Sequence, residues 1–305
     1  MNKIIFFSES NIQGKVPRDF ENARTEFGWS IMLDAEWCPI KAVPPHKDYD
    51  LGVVIIPKNN PEIDLSRFKN YCKNVSVMQE GPHWYYQDYS VDKQIHYVNT
   101  LRSADWVYCH NKSDRKYYKG LGCKDVRVMR SLMIPEGLEK RNWGKSETMI
   151  GGNFVSWYGG FDSYMVAREI GDPIVAPSMG RKHEQEDSIE DITYLPYMSW
   201  RDWIKTLGEY NIGIHLMRTH AAGTFAMNCG FHGIPCIGYK GLDTQQILHP
   251  LTTVEVGDLD EAQRIGLKLK DSKFYNLCSK TALKRFDDYY TEKAWLENWK
   301  NENVL

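Results

Sequence analysis

Two short segments hold side chains suited to chemistry. In the second half, Arg218 ends an apolar run, and Ala221-Ala222-Gly223-Thr224-Phe225 opens an expected helix. Small residues let backbone N–H groups approach a ligand, and a helix start presents the positive end of its dipole. A guanidinium beside it grips phosphate oxygens in pairs. In the first half, Glu80 closes an apolar run and is followed by Gly81-Pro82-His83-Trp84-Tyr85-Tyr86-Gln87-Asp88. A carboxylate there, Glu80 or Asp88, suits a general base or a sugar contact. The rings of His83, Trp84 and Tyr85 suit stacking on a sugar or a base. Gly14 in the first loop, and the pair Gly159-Gly160 before another helix, are further points of close approach.

Other motifs fail on their spacing. Gly144-Lys145-Ser146 lacks the upstream glycine of a phosphate loop, because Glu139 stands there. No GxGxxG follows the first strand. Asp48-Tyr49-Asp50 directly precedes an apolar run and reads as a strand-entry turn. No metal-ligand spacing occurs, so neither a metal nor a tightly bound cofactor is expected.

Composition sets the class. The chain has 305 residues, 42% hydrophobic and 26% charged, which fits a soluble two-domain protein. No run is long enough to span a membrane, and MNKIIFFSES is too short for a signal core, so a cytoplasmic location is expected. The 7 cysteines are odd in number and set among apolar residues, which favours buried free thiols. Net charge is −2 overall, but residues 1–145 carry more cations than anions and the remainder the reverse. Between Lys112 and Arg130 stand Arg115, Lys116, Lys119, Lys124 and Arg127, with only Asp114 and Asp125 against them.

These residues must be held by elements. KIIFF, WSIMLD, LGVVIIP, VSVMQE, WVYCH and VRVMRSL read as strands, with a helix from Arg18 to Phe27. The stretch 90–104 places Val91, Ile95, Val98 and Leu101 on one helical face. Residues 134–147 are rich in charge, Gly and Pro and read as a linker. The alternation then restarts: MIGGNFV, a helix 162–170, PIVAP, ITYL, a helix 200–207, IGIHLM, a helix 224–232, PCIGY, VEV and an amphipathic tail. Continuous apolar strands between helices predict two parallel α/β sheets. The domains are expected at 1–145 and 146–305, with the C-terminal helix a candidate to return to the first. Ligands of such sheets bind beyond the strands' carboxyl ends, which places the expected site in a cleft between the domains.

Three segments occur in a telling order: GGNFVSWYGGFDSYMVA, ITYLPYMSWRDWIKTLGEYNIGIHLMR and HAAGTFAMNCGFHGIPCIGY. Together they resemble the nucleotide-sugar domain of GT-B glycosyltransferases, above all the retaining enzymes of family 4. The resemblance implies a GT-B fold, two Rossmann-like domains facing across a cleft. It also implies transfer from a nucleoside-diphosphate sugar, with UDP favoured. It places the donor's base at the turn of Tyr197 and Met198, and its diphosphate at Arg218, Gly223, Thr224 and Phe225, with Gly14, Gly159 and Gly160 nearby. The chain departs from that family at His220 and Asn228, where the family has glutamates, and near Asn153 and Tyr158, where it has cations. Asn228 is kept as a donor contact, and Arg181 and Lys182 stand in for the lost charge. Glu80, Asp88 and Arg218 are the catalytic candidates.

EGPHWYYQDY and AGTFAMNCGFHGIP also resemble bacteriophage glycosyltransferases that decorate hydroxymethylated pyrimidines in DNA. That resemblance implies a DNA acceptor meeting His83, Trp84, Tyr85, Arg115, Lys116 and Lys119, and a host-cytoplasmic site of action. A polysaccharide or glycolipid acceptor, and a non-catalytic sugar-nucleotide or DNA-binding module, remain as alternatives. The anomeric outcome and the oligomeric state stay open.

Overall fold

Runs of Val, Ile and Phe bounded by Gly, Pro and Asn form the strands of two sheets. The computed structural model describes residues 3–57, 62–79, 81, 83–140, 145–155, 157–177 and 184–303. The chain divides into two compact units. Unit 1 comprises Met1–Ile134, His220–Ala222 and Trp295–Leu305, and unit 2 comprises Pro135–Thr219 and Gly223–Ala294. The division falls at Ile134, at the start of the linker-like segment. Three residues of the small-residue loop and the end of the chain are counted with unit 1.

Unit 1 runs β1 (Ile4–Ser8), β2 (Gly14–Lys15), α1 (Thr25–Met32), β3 (Glu36–Pro39), β4 (Tyr49–Ile56), α2 (Ser66–Lys69), β5 (Cys72–Gln79), α3 (Val91–Ser103), β6 (Trp106–Cys109), α4 (Asp114–Gly120) and β7 (Val126–Val128). A short 3₁₀ turn, His83–Asp88, joins β5 to α3. The sheet order is β2-β3-β1-β4-β5-β6-β7, parallel throughout except for β2. The central strands β1, β4 and β5 are almost wholly buried, as a sheet covered on both faces requires.

Three expectations fail here. WSIMLD is not a strand, because residues 25–32 form α1, and the strand is the next segment, EWCP. A six-residue apolar run has no period that separates helix from strand. In α3 the buried residues are Tyr97, Thr100 and Leu101, while Val91 and Ile95 are exposed. Tyr97 stacks on Tyr86 at 3.9 Å and turns the helix toward that ring. The expected strand-entry turn at Asp48–Asp50 is instead the start of β4, which opens at Tyr49; Lys3 pairs with Asp48 at 2.5 Å and Lys73 with Asp50 at 2.6 Å.

Unit 2 runs β8 (Lys145–Ile150), α5 (Gly160–Ile170), β9 (Ile174–Ala176), β10 (Ile192–Tyr194), α6 (Trp200–Leu207), β11 (Tyr210–His215), α7 (Thr224–His232), β12 (Cys236–Tyr239), α8 (Asp243–Leu248), β13 (Thr253–Val254), α9 (Leu259–Lys268) and α10 (Ser272–Tyr289). The order β10-β9-β8-β11-β12-β13 is wholly parallel. The final helix α11 (Glu292–Glu302) ends among the residues of unit 1. There Trp295 Nε1 donates to the Arg130 carbonyl at 2.8 Å, and Tyr108 donates to Asn303 at 2.5 Å. All seven cysteines are buried and free. Among the described residues, no helix is long and apolar enough to cross a membrane.

Candidate functional site

In unit 2 the site is built at the carboxyl ends of β8 and β11. After β8 the chain passes Gly151, Gly152 and Asn153 and enters α5 through Gly159, whose φ of +65° only glycine adopts without strain. A Cβ on Gly159 would lie 2.1 Å from the Leu216 carbonyl oxygen, and one on Gly160 2.1 Å from that of Asn153. Both glycines therefore let the start of α5 press against the ends of β11 and β8. Ser163 locks the crossing, donating to the Gly159 carbonyl at 2.8 Å and accepting from Leu216 N at 3.0 Å.

Arg218 follows β11. Its Nε and Nη2 lie 3.1 and 2.8 Å from one oxygen of Asp162, and the Tyr239 hydroxyl donates to the same oxygen at 2.9 Å. The bond to Asp162 raises the guanidinium's pKa further, and burial followed by the same carboxylate pushes Tyr239 up to about 12. Asp162 is buried, whereas the Arg218 side chain is 56% exposed. An anchored yet open guanidinium can meet an anion without first being ordered.

Five residues further on, α7 starts at Gly223, again with φ +65°. A Cβ there would lie 2.1 Å from Thr244 Oγ1. Thr224 is half-buried and Phe225 buried, with the Phe225 ring 5.4 Å from that of His215. His215 Nε2, Asn153 Nδ2 and Thr244 Oγ1 are buried polar atoms with no partner among the described residues. Burial depresses His215 to about 4, so its ring is neutral. Asn228 turns inward: its amide nitrogen donates to the Thr224 carbonyl at 3.1 Å and its oxygen accepts from Trp203 Nε1 at 3.3 Å. It braces α7 against α6. In the turn before α6, Tyr197 is 81% exposed and Met198 half-buried. Arg181 and Lys182 lie outside the described residues.

In unit 1, Gly14 sits on the edge strand β2. Glu80 lies outside the described residues, as do the side chains of His83, Trp84 and Tyr85, whose backbone belongs to the 3₁₀ turn. Asp88 ends that turn, exposed. The basic segment splits. Arg115 pairs with Glu302, while Arg127 pairs with Asp125 at 2.9 Å and lies 3.9 Å over the Trp106 ring. Arg130 is only partly exposed. Lys112, Lys116, Lys119 and Lys124 are the exposed cations of the segment.

One pair escaped the sequence reading. His220 Nδ1 lies 2.7 Å from Asp114 Oδ1, with Asp114 buried at the start of α4. The sequence signal was the departure at 220 itself, which marked a histidine but not its partner 106 residues away.

The sequence matches no family profile and no curated protein. By structure the chain resembles HepE of Anabaena solved with UDP and glucose, with a TM-score of 0.68 and 10% identity over 100% of both chains. It resembles sucrose-phosphate synthase of Thermosynechococcus elongatus with a TM-score of 0.69 and 10% identity, over 99% of this chain and 98% of that one. TarM of S. aureus, solved with UDP, gives a TM-score of 0.61 and 10% identity over 82% of this chain, which spans 55% of TarM. These likenesses carry the fold: two parallel-sheet α/β units of GT-B type.

Proposed function

We propose that this chain is a glycosyltransferase that takes a sugar from a nucleoside diphosphate, UDP foremost, and delivers it to a hydroxyl. The observation that carries the reading is Arg218, open to solvent yet fixed on Asp162, standing five residues before the glycine-started N-terminus of α7. A guanidinium and free helix N–H groups together suit a diphosphate. The HepE and TarM structures, solved with UDP, support the choice of nucleotide. In this reading Arg218 and the start of α7 stabilise the charge that grows on the departing diphosphate. Gly223 and Thr224 supply backbone there, and Tyr197 offers an exposed ring to the base. Gly159 and Gly160 act by setting the position of α5.

For the acceptor we propose the hydroxymethyl group of a modified pyrimidine in DNA. Its supports are the phage-enzyme resemblance and the exposed Lys112, Lys116, Lys119 and Lys124. Arg115 is withdrawn from that set by Glu302. Release of UDP from a panel of UDP-sugars, measured with hydroxymethylated duplex, plain duplex and oligosaccharides, tests both parts. Stimulation by the hydroxymethylated duplex alone supports the DNA acceptor, and stimulation by oligosaccharides alone replaces it with a glycan. Absence of UDP binding sinks the donor reading.

A further inference from the structure

The amino end of the unit 2 sheet carries a groove that the donor reading leaves unused. β8 and β11 pair out of step there. Tyr210 faces Lys145 and Ile212 faces Thr148, so Ser146 and Glu147 both stand against Asn211. Such a bulge bends the strand and re-aims its side chains. The Tyr275 hydroxyl of α10 donates to the Asn211 carbonyl at 3.0 Å, which ties the first turns of that helix to the bulged strands. Between these elements lies a cavity of about 570 Å³, a volume suited to a small ligand. Buried Ile212 and Leu269 give it aliphatic lining. Ser146, Ser272 and Asn276 also line it, all exposed and without a side-chain partner among the described residues.

The charges of the groove offset one another. Lys270 is the cation of its lining and lies 3.7 Å from Asp172, the carboxylate of that lining. The start of α10 is already capped, because Asp271 accepts from Phe274 N at 2.8 Å. A carboxylate there offsets the positive end of the helix dipole. A phosphate or sulfate would therefore meet two carboxylates against one ammonium. A nucleobase gains most from stacking on flat side chains, and Tyr275 is the one ring among the lining residues. Hydroxyl and amide groups, which donate as well as accept, match the hydroxyls of a sugar, and the aliphatic lining matches its C–H face. β8 holds six residues, at about 3.3 Å each, so roughly 15–20 Å separates this groove from the carboxyl end of the sheet. A sugar held here does not take part in transfer at that end.

We propose that the groove is a second, non-reacting site for a neutral mono- or disaccharide. Ser146, Ser272 and Asn276 exchange hydrogen bonds with the sugar hydroxyls, and Ile212 and Leu269 meet its carbon face. The site needs no nucleotide and stands independently of the glycosyltransferase reading.

The test uses the full chain and saturation-transfer NMR with glucose, N-acetylglucosamine, maltose, cellobiose and chitobiose as probes, each with and without UDP. At least one probe is expected to bind and to stay bound in saturating UDP. Its affinity should hold between about 50 and 500 mM salt, because no net charge is neutralised. N276A should weaken binding by roughly 2- to 13-fold, the loss of one hydrogen bond. N276W on α10 and S146W on β8 each place a ring in the groove from an exposed position, and each should abolish binding with an unchanged melting temperature. Failure of every probe to bind overturns the proposal, as does binding that UDP displaces or that both tryptophan variants leave intact. Uridine or inorganic phosphate binding that these variants abolish, with no saccharide bound, gives the groove to another ligand and overturns it likewise. A chain that binds a saccharide as expected but never UDP loses the donor reading and keeps this one.

Discussion

Arg218 reaches solvent from a carboxylate anchor, and that decides what its removal does. A charge-assisted phosphate contact is worth about 1.5–3 kcal/mol, so R218A is expected to weaken UDP binding by roughly 10- to 150-fold. The same change strips Asp162 of its cation and leaves the Tyr239 hydroxyl as its remaining side-chain bond, so a modest fall in melting temperature accompanies it. D162N separates the two effects. It frees the guanidinium without removing it, and it should weaken UDP binding less than R218A does. Titration calorimetry of both variants with UDP checks the ordering, and unchanged affinity in R218A removes Arg218 from the donor site. The position of Arg218 was legible because it ends an apolar run just before small residues. Asp162 was legible only as the first residue of an expected helix, because nothing in a linear pattern pairs it with a residue 56 positions on. Asn228 shows the converse. It was read by its match in position to a family glutamate, and its bonds to Trp203 and to its own helix were not legible.

The helices of unit 2 that flank the site begin on left-handed glycines, but the two starts tolerate change differently. At Gly159 the obstacle to a side chain is the Leu216 backbone carbonyl, while at Gly223 it is the Thr244 hydroxyl. Positive φ costs either alanine variant on the order of 1–2 kcal/mol. G159A must in addition displace the end of a central strand, whereas G223A needs only one side chain to move. G159A is therefore expected to lower the melting temperature more than G223A, and adding T244A should recover part of the loss for G223A. Thermal melts of the three variants check this, and equal losses for G159A and G223A would refute it. Element bounds in this unit were readable where such punctuation exists. Trp200–Leu207 lies between the Ser199 cap and Gly208, and Thr224–His232 between Gly223 and Gly233. Arg24 and Leu33 flank α1 with no side-chain cap, and its eight residues were taken for a helix end and a strand. The C-terminal tail was legible as amphipathic, but its division into α9, α10 and α11 was not. Which unit α11 completes depends on bonds such as that from Trp295 to the Arg130 carbonyl.

At the scale of the whole molecule, buried neutral histidines tie folding to pH. Burial depresses His215 and His249 in unit 2, and His110 in unit 1, to about 4. His249 donates from Nε2 to the Ala226 carbonyl at 2.9 Å and accepts at Nδ1 from Cys236 N at 3.4 Å, so a second proton has no acceptor there. In the unfolded chain each histidine titrates near 6.5. Above that value both states are neutral, and the full stability is present. As pH falls from about 6.5 to 4, the unfolded chain takes up protons that the folded chain refuses, and stability is lost. Each of the two buried residues His215 and His249 contributes on the order of 3 kcal/mol to that loss, and the partly exposed His110 less. The ion-paired carboxylates Asp48 and Asp50 have lowered pKa values, so their contributions disappear only at lower pH and leave this window to the histidines. Unit 2, with two of the three rings, should weaken first. Denaturant melts between about pH 7.5 and 4.5 should show stability falling through the window. H249Q keeps a side-chain amide near both backbone partners and cannot titrate. Whatever its stability at neutral pH, its decline through the window should be shallower than that of the wild type. An equally steep decline in H249Q would mean that His249 is not held neutral and that the acid sensitivity lies elsewhere.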